Sequence, residues 1–360
     1  MQMKLVLDNI VFDLQRSGGI SVVWYELLKR LHGQPQWDVS YIDNHATSNH
    51  YRQLLDIGEN QIAGTDSYVP LMRYRQVGIT AREPFLFHSS YYRYCPSSYA
   101  VNITTVHDFT YEHFRHGLRR WVHSWQKQNA IRHSDVVICV SENTKRDLLD
   151  MMRDVDADRV RVVYNGASED YHVLEQKVMA DELPFSPQSY VVYVGDRSEY
   201  KNFPLCVQAL KHTSYNLVIV GRTLQEMERA FIQQHLPPSR FHDVGYVTNE
   251  RLNILYNHAA ALVYPSVYEG FGIPVVEAQK AGCPVVAFDG SSIPEVAGSD
   301  VLLMKTLTVA SLVEKLRLLS DAALMAQVRH DGLARAAQFT WDKMASQYFA
   351  IYEEALKSRK

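Results

Sequence analysis

The sequence predicts an α/β protein built from two doubly wound units joined by a linker. Three observations carry that expectation. Short β-rich runs alternate with helical patterns along the chain, which is the signature of βαβ units and a parallel sheet. The runs of the second half are near-continuously apolar, as strands covered on both faces should be. The 360 residues exceed one ordinary core and suit two domains of usual size.

The first strand is expected in "KLVLDNIVF", residues 4–12, followed by "QRSGGIS" and a helix in "VVWYELLKRL". Apolar residues recur there at helical spacing at Ile20, Trp24, Leu27, Leu28 and Leu31, and Gly33 is a stop. Further strands are expected in "FLFHSS" (85–90), "NITTVHD" (102–108), "DVVICVS" (135–141) and "RVRVVYNG" (159–166), with a helix over about 118–132 and another in "ENTKRDLLDMM". Past Ala167 the pattern breaks into a stretch with two prolines and no period, the best linker candidate. Alternation resumes with "YVVYVGD", "NLVIVGR", "AALVYPS" and "CPVVAFDG". The closing "WDKMASQYFAIYEEALKSRK" is helical and free to pack back on either domain. The expected division is 1–170, a linker at 171–189, 190–340, and a terminal helix at 341–360, with a ligand cleft at the carboxyl ends of the two sheets.

Composition narrows the function. With 46% hydrophobic and 21% charged residues the chain is an ordinary globular one, and its net charge of -3 offers no global basic field for nucleic acid. The start carries Asp8 inside its apolar stretch and no small-residue cleavage pattern, so a signal peptide is not expected, and no apolar run is long enough to span a bilayer. Cys95, Cys139, Cys206 and Cys283 are scattered, which favours reduced thiols in a cytoplasmic protein. The fifteen histidines include no H-E-x-x-H, and "DVDAD" (154–158) reads as a solvated turn rather than a metal motif, so no metal site is expected. "FRHGLRRWVHSWQKQNAIRH" interleaves Arg115, Arg119, Arg120, Lys127 and Arg132 with Trp121 and Trp125. Helix core with a solvated basic face explains it, and peripheral contact with the inner face of a membrane is the second expectation.

The chemistry concentrates in "YEGFGIPVVE", residues 268–277. A strand ends just before it, which places Glu269 in a carboxyl-end loop. Gly270 and Gly272 let backbone N–H groups approach a ligand, and Pro274 suits the first turn of a helix whose start attracts an anion. Glu277, one turn in, can accept two hydrogen bonds from a diol. A lone first-turn acid would only complement the helix dipole. Strand, glycine turn, proline and second acid together favour a ligand site.

This stretch resembles the signature of the retaining glycosyltransferases of family 4, which have the GT-B fold of two Rossmann-like domains and two glutamates separated by seven residues. The extended match runs over 245–298, and weaker ones are "GGIS", "TTVHDFTY", "VICVSENTKRDL", "VVYNGAS" and "YVGDRSEYKN". The subgroup most similar to it contains mannosyl- and rhamnosyltransferases of bacterial surface polysaccharide assembly. The resemblance implies that Glu277 binds a nucleotide ribose, while Glu269 and the backbone of Gly270, Phe271, Gly272 and Ile273 hold the donor sugar and diphosphate. It puts Lys201 and Arg197 on the diphosphate, although this chain has Tyr200 where the family often carries its arginine. An Arg/Lys pair of that kind would stabilise the leaving oxygen without a metal, so no cofactor is expected. By the same resemblance Gly18 and Gly19 lie near the donor phosphates and acceptor, and His107 and Asp108 near the reacting sugar or the acceptor. Ser141 and Glu142 fall on the acceptor side, and Arg222 and Gly245, Tyr246 and Val247 near the base and its phosphate or ribose.

The expected activity is transfer of a hexose, in the first place mannose from GDP-mannose, to a hydroxyl of a saccharide or lipid-linked saccharide, with retention. Alternatives are a UDP- or dTDP-sugar donor (glucose, GlcNAc, rhamnose), a GT-B nucleotide-sugar epimerase, and an inactive nucleotide-sugar-binding scaffold. A nicotinamide oxidoreductase is disfavoured because the chain lacks G-x-G-x-x-G with a following acidic partner.

Overall fold

In a computed structural model the chain is described over residues 2–44, 47–64, 72–175 and 183–359, so part of the expected linker lies outside the described residues. Two compact units emerge. One holds Met1–Gly166 together with Trp341–Lys360, the other Ala167–Thr340.

The first unit runs β1 (Met3–Asp8), α1 (Val11–Leu14), α2 (Gly19–Leu31), β2 (Trp37–Ile42), β3 (Ile62–Gly64), β4 (Phe85–Ser89), β5 (Ala100–Val106), α3 (Thr110–Phe114), α4 (Gly117–Arg132), β6 (Val136–Cys139), α5 (Glu142–Met151) and β7 (Val160–Val162). The C-terminal helix, Trp341–Lys357, completes it by packing against α2 and β4. All its strands pair in parallel, in the order β3-β2-β1-β4-β5-β6-β7. The direction of strand addition therefore reverses between β1 and β4.

The expected first strand is cut short at Asp8. Asn9 turns the chain by donating its backbone N–H to the Ile42 carbonyl and its side-chain amide to Asp43, and Ser90 Oγ accepts from the Val11 N–H at 2.9 Å. The apolar residues at 10–12 thus enter a helical turn instead of extending the sheet. The strand β2 was not anticipated, because "WDVSYI" mixes polar with apolar positions and buries only part of its length.

At the β1/β4 reversal Asp8 is wholly buried. Arg93 donates to it from Nη2 at 2.6 Å and Nε at 2.8 Å, and Ser89 Oγ donates at 2.6 Å. A second polar network ties on the C-terminal helix. One ring nitrogen of His88 bonds the Tyr352 hydroxyl at 2.6 Å and the other bonds Thr105 Oγ1 at 3.0 Å, which also meets the Tyr348 hydroxyl. Burial, with a further push from His107, drives the His88 pKa down to about 3, so the ring is neutral and each nitrogen has one defined role.

The second unit runs β8 (Tyr190–Val194), α6 (Phe203–Leu210), β9 (Asn216–Val220), α7 (Glu226–Gln233), β10 (Phe241–Gly245), α8 (Asn249–His258), β11 (Ala261–Tyr264), α9 (Ile273–Lys280), β12 (Val285–Phe288), α10 (Ile293–Ala297), β13 (Leu303–Met304), α11 (Val309–Leu318) and α12 (Ala322–Ala336). Its parallel sheet has the order β10-β9-β8-β11-β12-β13, with the reversal between β8 and β11. Val191, Tyr193, Leu217, Ile219, Val263 and Val286 pack in its core, and the near-continuous apolarity of these strands follows from helices covering both faces. All four cysteines are buried free thiols, and burial pushes Cys206 and Cys283 up to about 12.

Removing one partner of a buried ion pair leaves the other charge uncompensated, so Arg93→Leu should destabilise the first unit by about 3 to 5 kcal/mol. Urea unfolding followed by circular dichroism checks this; an unaltered midpoint would show that Asp8 is satisfied without Arg93.

Candidate functional site

In a doubly wound sheet, ligands meet the chain at the carboxyl ends of the strands, beside the strand-order reversal. In the second unit the β8 and β9 ends approach closely. Gly221 has φ +134°, and a Cβ there would stand 2.6 Å from the Gly195 carbonyl oxygen, so a side chain at Gly221 would push the two loops apart.

The loop after β8 closes on itself. Asp196 accepts from the Ser198 N–H at 2.8 Å, a short turn runs over Glu199–Lys201, and Asn202 in the left-handed region (φ +54°) leads into α6. It is stitched across the reversal by the Val267 N–H, which donates to the Tyr200 carbonyl at 2.7 Å. Lys201 Nζ thereby reaches Glu269 Oε1 at 2.6 Å and the Tyr264 hydroxyl at 3.3 Å, with the rings of Tyr200 and Tyr264 each 5.3 Å away. The two side chains are only 14% and 12% exposed. Burial works against the charged form of Lys201. The Glu269 carboxylate, aided by Tyr264 and Tyr200, overrides burial and holds the lysine pKa well above its ordinary value.

Glu269 is fixed from behind. Its N–H donates to Ser291 Oγ at 2.9 Å, and Ser292 Oγ donates to the carbonyls of Glu269 (3.0 Å) and Phe271 (2.9 Å). Gly272, with φ +98°, caps α9, and a Cβ on it would stand 2.8 Å from Ile293 Cδ1. Gly270, Phe271 and Ile273 line the same turn.

Glu277 sits half-buried one turn into α9, with the Tyr256 hydroxyl 3.4 Å from Oε2 and Tyr171 as a second hydroxyl partner. Burial lifts its pKa to about 7 against the two tyrosine hydrogen bonds. On the other side of β8, the Arg197 side chain is turned inward and is only 2% exposed, bonded to Glu228. Arg222 follows β9 and donates to the same Glu228 at 2.8 Å. Tyr246 and Val247 follow β10, with Tyr246 exposed.

The first unit holds the remaining candidates. Gly18 is the N-cap of α2 and Gly19 its first residue. His107 and Asp108 follow β5. Burial pushes His107 down to about 4, which makes it a neutral ring. Asp108 is partly engaged, with Oδ1 accepting from the Thr110 N–H at 2.9 Å and its carbonyl from Lys127 Nζ at 2.8 Å. Ser141 is buried and caps α5 through the Thr144 N–H, and Glu142 beside it is exposed. Within "DVDAD", Asp156 accepts from the Asp158 N–H and Asp154 pairs with Arg132.

Residue patterns alone missed Glu228, Tyr264, Ser291 and the Tyr171–Tyr256 pair. Tyr264 ends a strand and could have been picked out by position. Glu228 looks like any first-turn helix acid until β8 and β9 stand side by side.

Residues 17–171 match the family model described as Glycosyltransferase Family 4, and residues 175–331 match that described as Glycosyl transferases group 1. A relative over nearly the whole chain is O-antigen chain mannosyltransferase B of Escherichia coli, 26% identical, with 91% of each chain covered. O-antigen chain mannosyltransferase RfbU of Salmonella typhimurium is 27% identical over 66% of this chain, which spans about three fifths (59%) of that relative. Among solved structures, Anabaena HepE in complex with UDP-glucose superposes with a TM-score of 0.73 at 17% identity, covering 99% of this chain and 100% of that one. With two parallel α/β units and these matches over most of its length, the chain belongs to the GT-B glycosyltransferases of group 1 and family 4.

Proposed function

We propose that this glycosyltransferase moves a hexose, mannose from GDP-mannose, onto a hydroxyl of a growing surface glycan with retention of anomeric configuration. The observation that carries the proposal is the Lys201–Glu269 pair at the β8/β11 reversal, beside the start of α9. The mannosyltransferase names of both relatives support the sugar and the glycan acceptor.

The arrangement divides the work. Breaking the sugar–phosphate bond develops negative charge on the leaving diphosphate, and Lys201, kept protonated by Glu269, lies where it can meet that charge. One such pairing contributes about 4 kcal/mol at roughly 4 Å and an effective dielectric near 20. Glu269, already engaged by Lys201, acts on sugar hydroxyls and on the lysine's charge rather than as a nucleophile. Retention then proceeds on one face of the sugar, with the leaving phosphate accepting the acceptor's proton. Glu277 holds the ribose diol, and the neutral His107 with Asp108 serves the acceptor side in the first unit.

The exposed face of α4 supports contact with a membrane carrying a lipid-linked acceptor. Leu118, Trp121 and Trp125 lie on one helical stripe at 75%, 65% and 48% exposure, flanked by exposed Arg115 and Arg120. The double variant Trp121→Ser/Trp125→Ser should lose co-sedimentation with phosphatidylglycerol vesicles and keep turnover on a water-soluble acceptor. Equal sedimentation of both proteins would remove this face from membrane contact.

Three further outcomes test the donor site. Lys201→Ala should lower turnover by at least tenfold with the fold intact, and wild-type turnover should persist in excess chelator; chelator-abolished activity would place a metal where Lys201 is proposed. Glu277→Ala should weaken donor binding by about tenfold to a hundredfold in calorimetry, the loss of charged hydrogen bonds. Protonation removes the Glu277 charge and turns one of its two oxygens into a donor, and burial lifts its pKa to about 7. Donor affinity should therefore rise as pH increases from 6 to 8, by up to about tenfold per pH unit below pH 7, and Glu277→Gln should flatten the profile. A pH-independent wild-type affinity would sink the ribose role. Comparing GDP- with UDP- and dTDP-sugars by thermal shift decides the base, and epimer formation without acceptor would favour an epimerase instead.

A further inference from the structure

The strands β8 and β9 end side by side, and an arginine follows each: Arg197 after β8 and Arg222 after β9. A single carboxylate takes both. Arg197 donates to Glu228 from Nε at 2.9 Å and from Nη2 at 3.1 Å, and Arg222 donates from Nη2 at 2.8 Å. The Gln225 N–H adds a fourth bond at 2.8 Å, which uses the acceptor capacity of a carboxylate in full.

The two guanidinium groups differ in what is left over. Arg197 is buried, and its Nη2 also donates to the carbonyls of Arg222 (2.6 Å) and Thr223 (3.2 Å), so it clamps the β9–α7 connection, while its Nη1 is sealed from solvent without a hydrogen-bond partner among the described residues. Arg222 keeps 41% of its side chain exposed and bonds Glu228 through Nη2. Within this trio the two arginines outnumber the glutamate by one charge, and Asp196 is a further carboxylate acting on Arg197 and not on the exposed Arg222.

We infer that Glu228 is a positioning residue of the donor site: with buried Arg197 it forms a bracket across the ends of β8 and β9 that holds the Arg222 guanidinium ready for an anionic oxygen of a nucleoside diphosphate. The inference rests on the donor reading proposed above. It moves the direct phosphate contact from Arg197, which acts here through Glu228 and the 222–223 backbone, to Arg222. Hydrogen bonds from Arg197, working against burial, hold the Glu228 pKa down to about 2, so its carboxylate is ionised at neutral pH.

The test measures calorimetric Kd for GDP, UDP and GDP-mannose on the full chain, beside Tm. Arg222→Ala should raise Kd by about tenfold or more, and Glu228→Gln by about threefold to tenfold. Placed in the Arg222→Ala background, Glu228→Gln should add nothing, because it acts through that arginine. Ala230→Gly serves as the control: it weakens α7 by backbone entropy without touching the bracket, and should lower Tm while leaving Kd alone. A Glu228→Gln protein that behaves like this control makes Glu228 a helix cap and overturns the inference. Additive losses in the double variant overturn it as well. If Lys201→Ala and Glu277→Ala weaken binding while Glu228→Gln and Arg222→Ala do not, the bracket alone falls. If all four leave Kd unchanged, the donor reading falls with it.

Discussion

A lysine and a glutamate that are mostly hidden from water, 2.6 Å apart, stand at the centre of the second unit. Burial disfavours the charged form of Lys201, and the Glu269 carboxylate more than offsets it. Their mutual attraction keeps Lys201 protonated, and the surrounding backbone exists in the form that keeps them in reach. The Val267 N–H to Tyr200 bond draws the two loops together, the Ser291 and Ser292 hydroxyls hold the Glu269 loop, and Gly272 turns the chain into α9. Such a pair adds little net stability once desolvation is counted. What it does add is a positive charge of known position beside a helix start.

Each unit places a charged pair at its strand-order reversal, and the two pairs have opposite characters. In the first unit Asp8 closes β1 and is met by Arg93 and Ser89 with almost no exposure, which makes that pair part of the core. In the second unit the equivalent place is partly open, and its polar atoms are arranged along the loops instead of being sealed beneath them. The same topology thus yields a sealed pair in one half and a partly open one in the other. The C-terminal helix shows a related economy, since Tyr348 and Tyr352 satisfy His88 and Thr105 from a segment far along the chain.

Much of the site was legible because it rests on local rules. The run "YEGFGIPVVE" encodes a strand end, a glycine turn and a proline-started helix, and the structure places Glu269, Gly272 and Glu277 in those positions. Lys201 follows an apolar strand and a glycine, and it was singled out through the family resemblance of that stretch. The setting of Arg197 and Glu228 was not legible. Whether an arginine after a strand faces solvent or turns inward depends on what stands on the neighbouring strand, and Glu228 lies 31 residues from Arg197. The extent of the first strand misled for an equal reason, since residues 10–12 are apolar in either conformation and only the bonds to Ile42, Asp43 and Ser90 choose the turn.

By itself the sequence determined the α/β class, most of the central strands and the glycine turns, because apolar periodicity and backbone freedom act over a few residues, while the short or mixed strands β2, β3, β10 and β13 escaped it. Only the tertiary structure decided which charges meet. Lys201 and Glu269 are 68 positions apart, and the winding of the sheet, which reverses between β8 and β11, sets their loops side by side. The electrostatics of that contact, the inward turn of Arg197 and the raised pKa of Glu277 all follow from burial among distant segments, a quantity that no local stretch of residues contains.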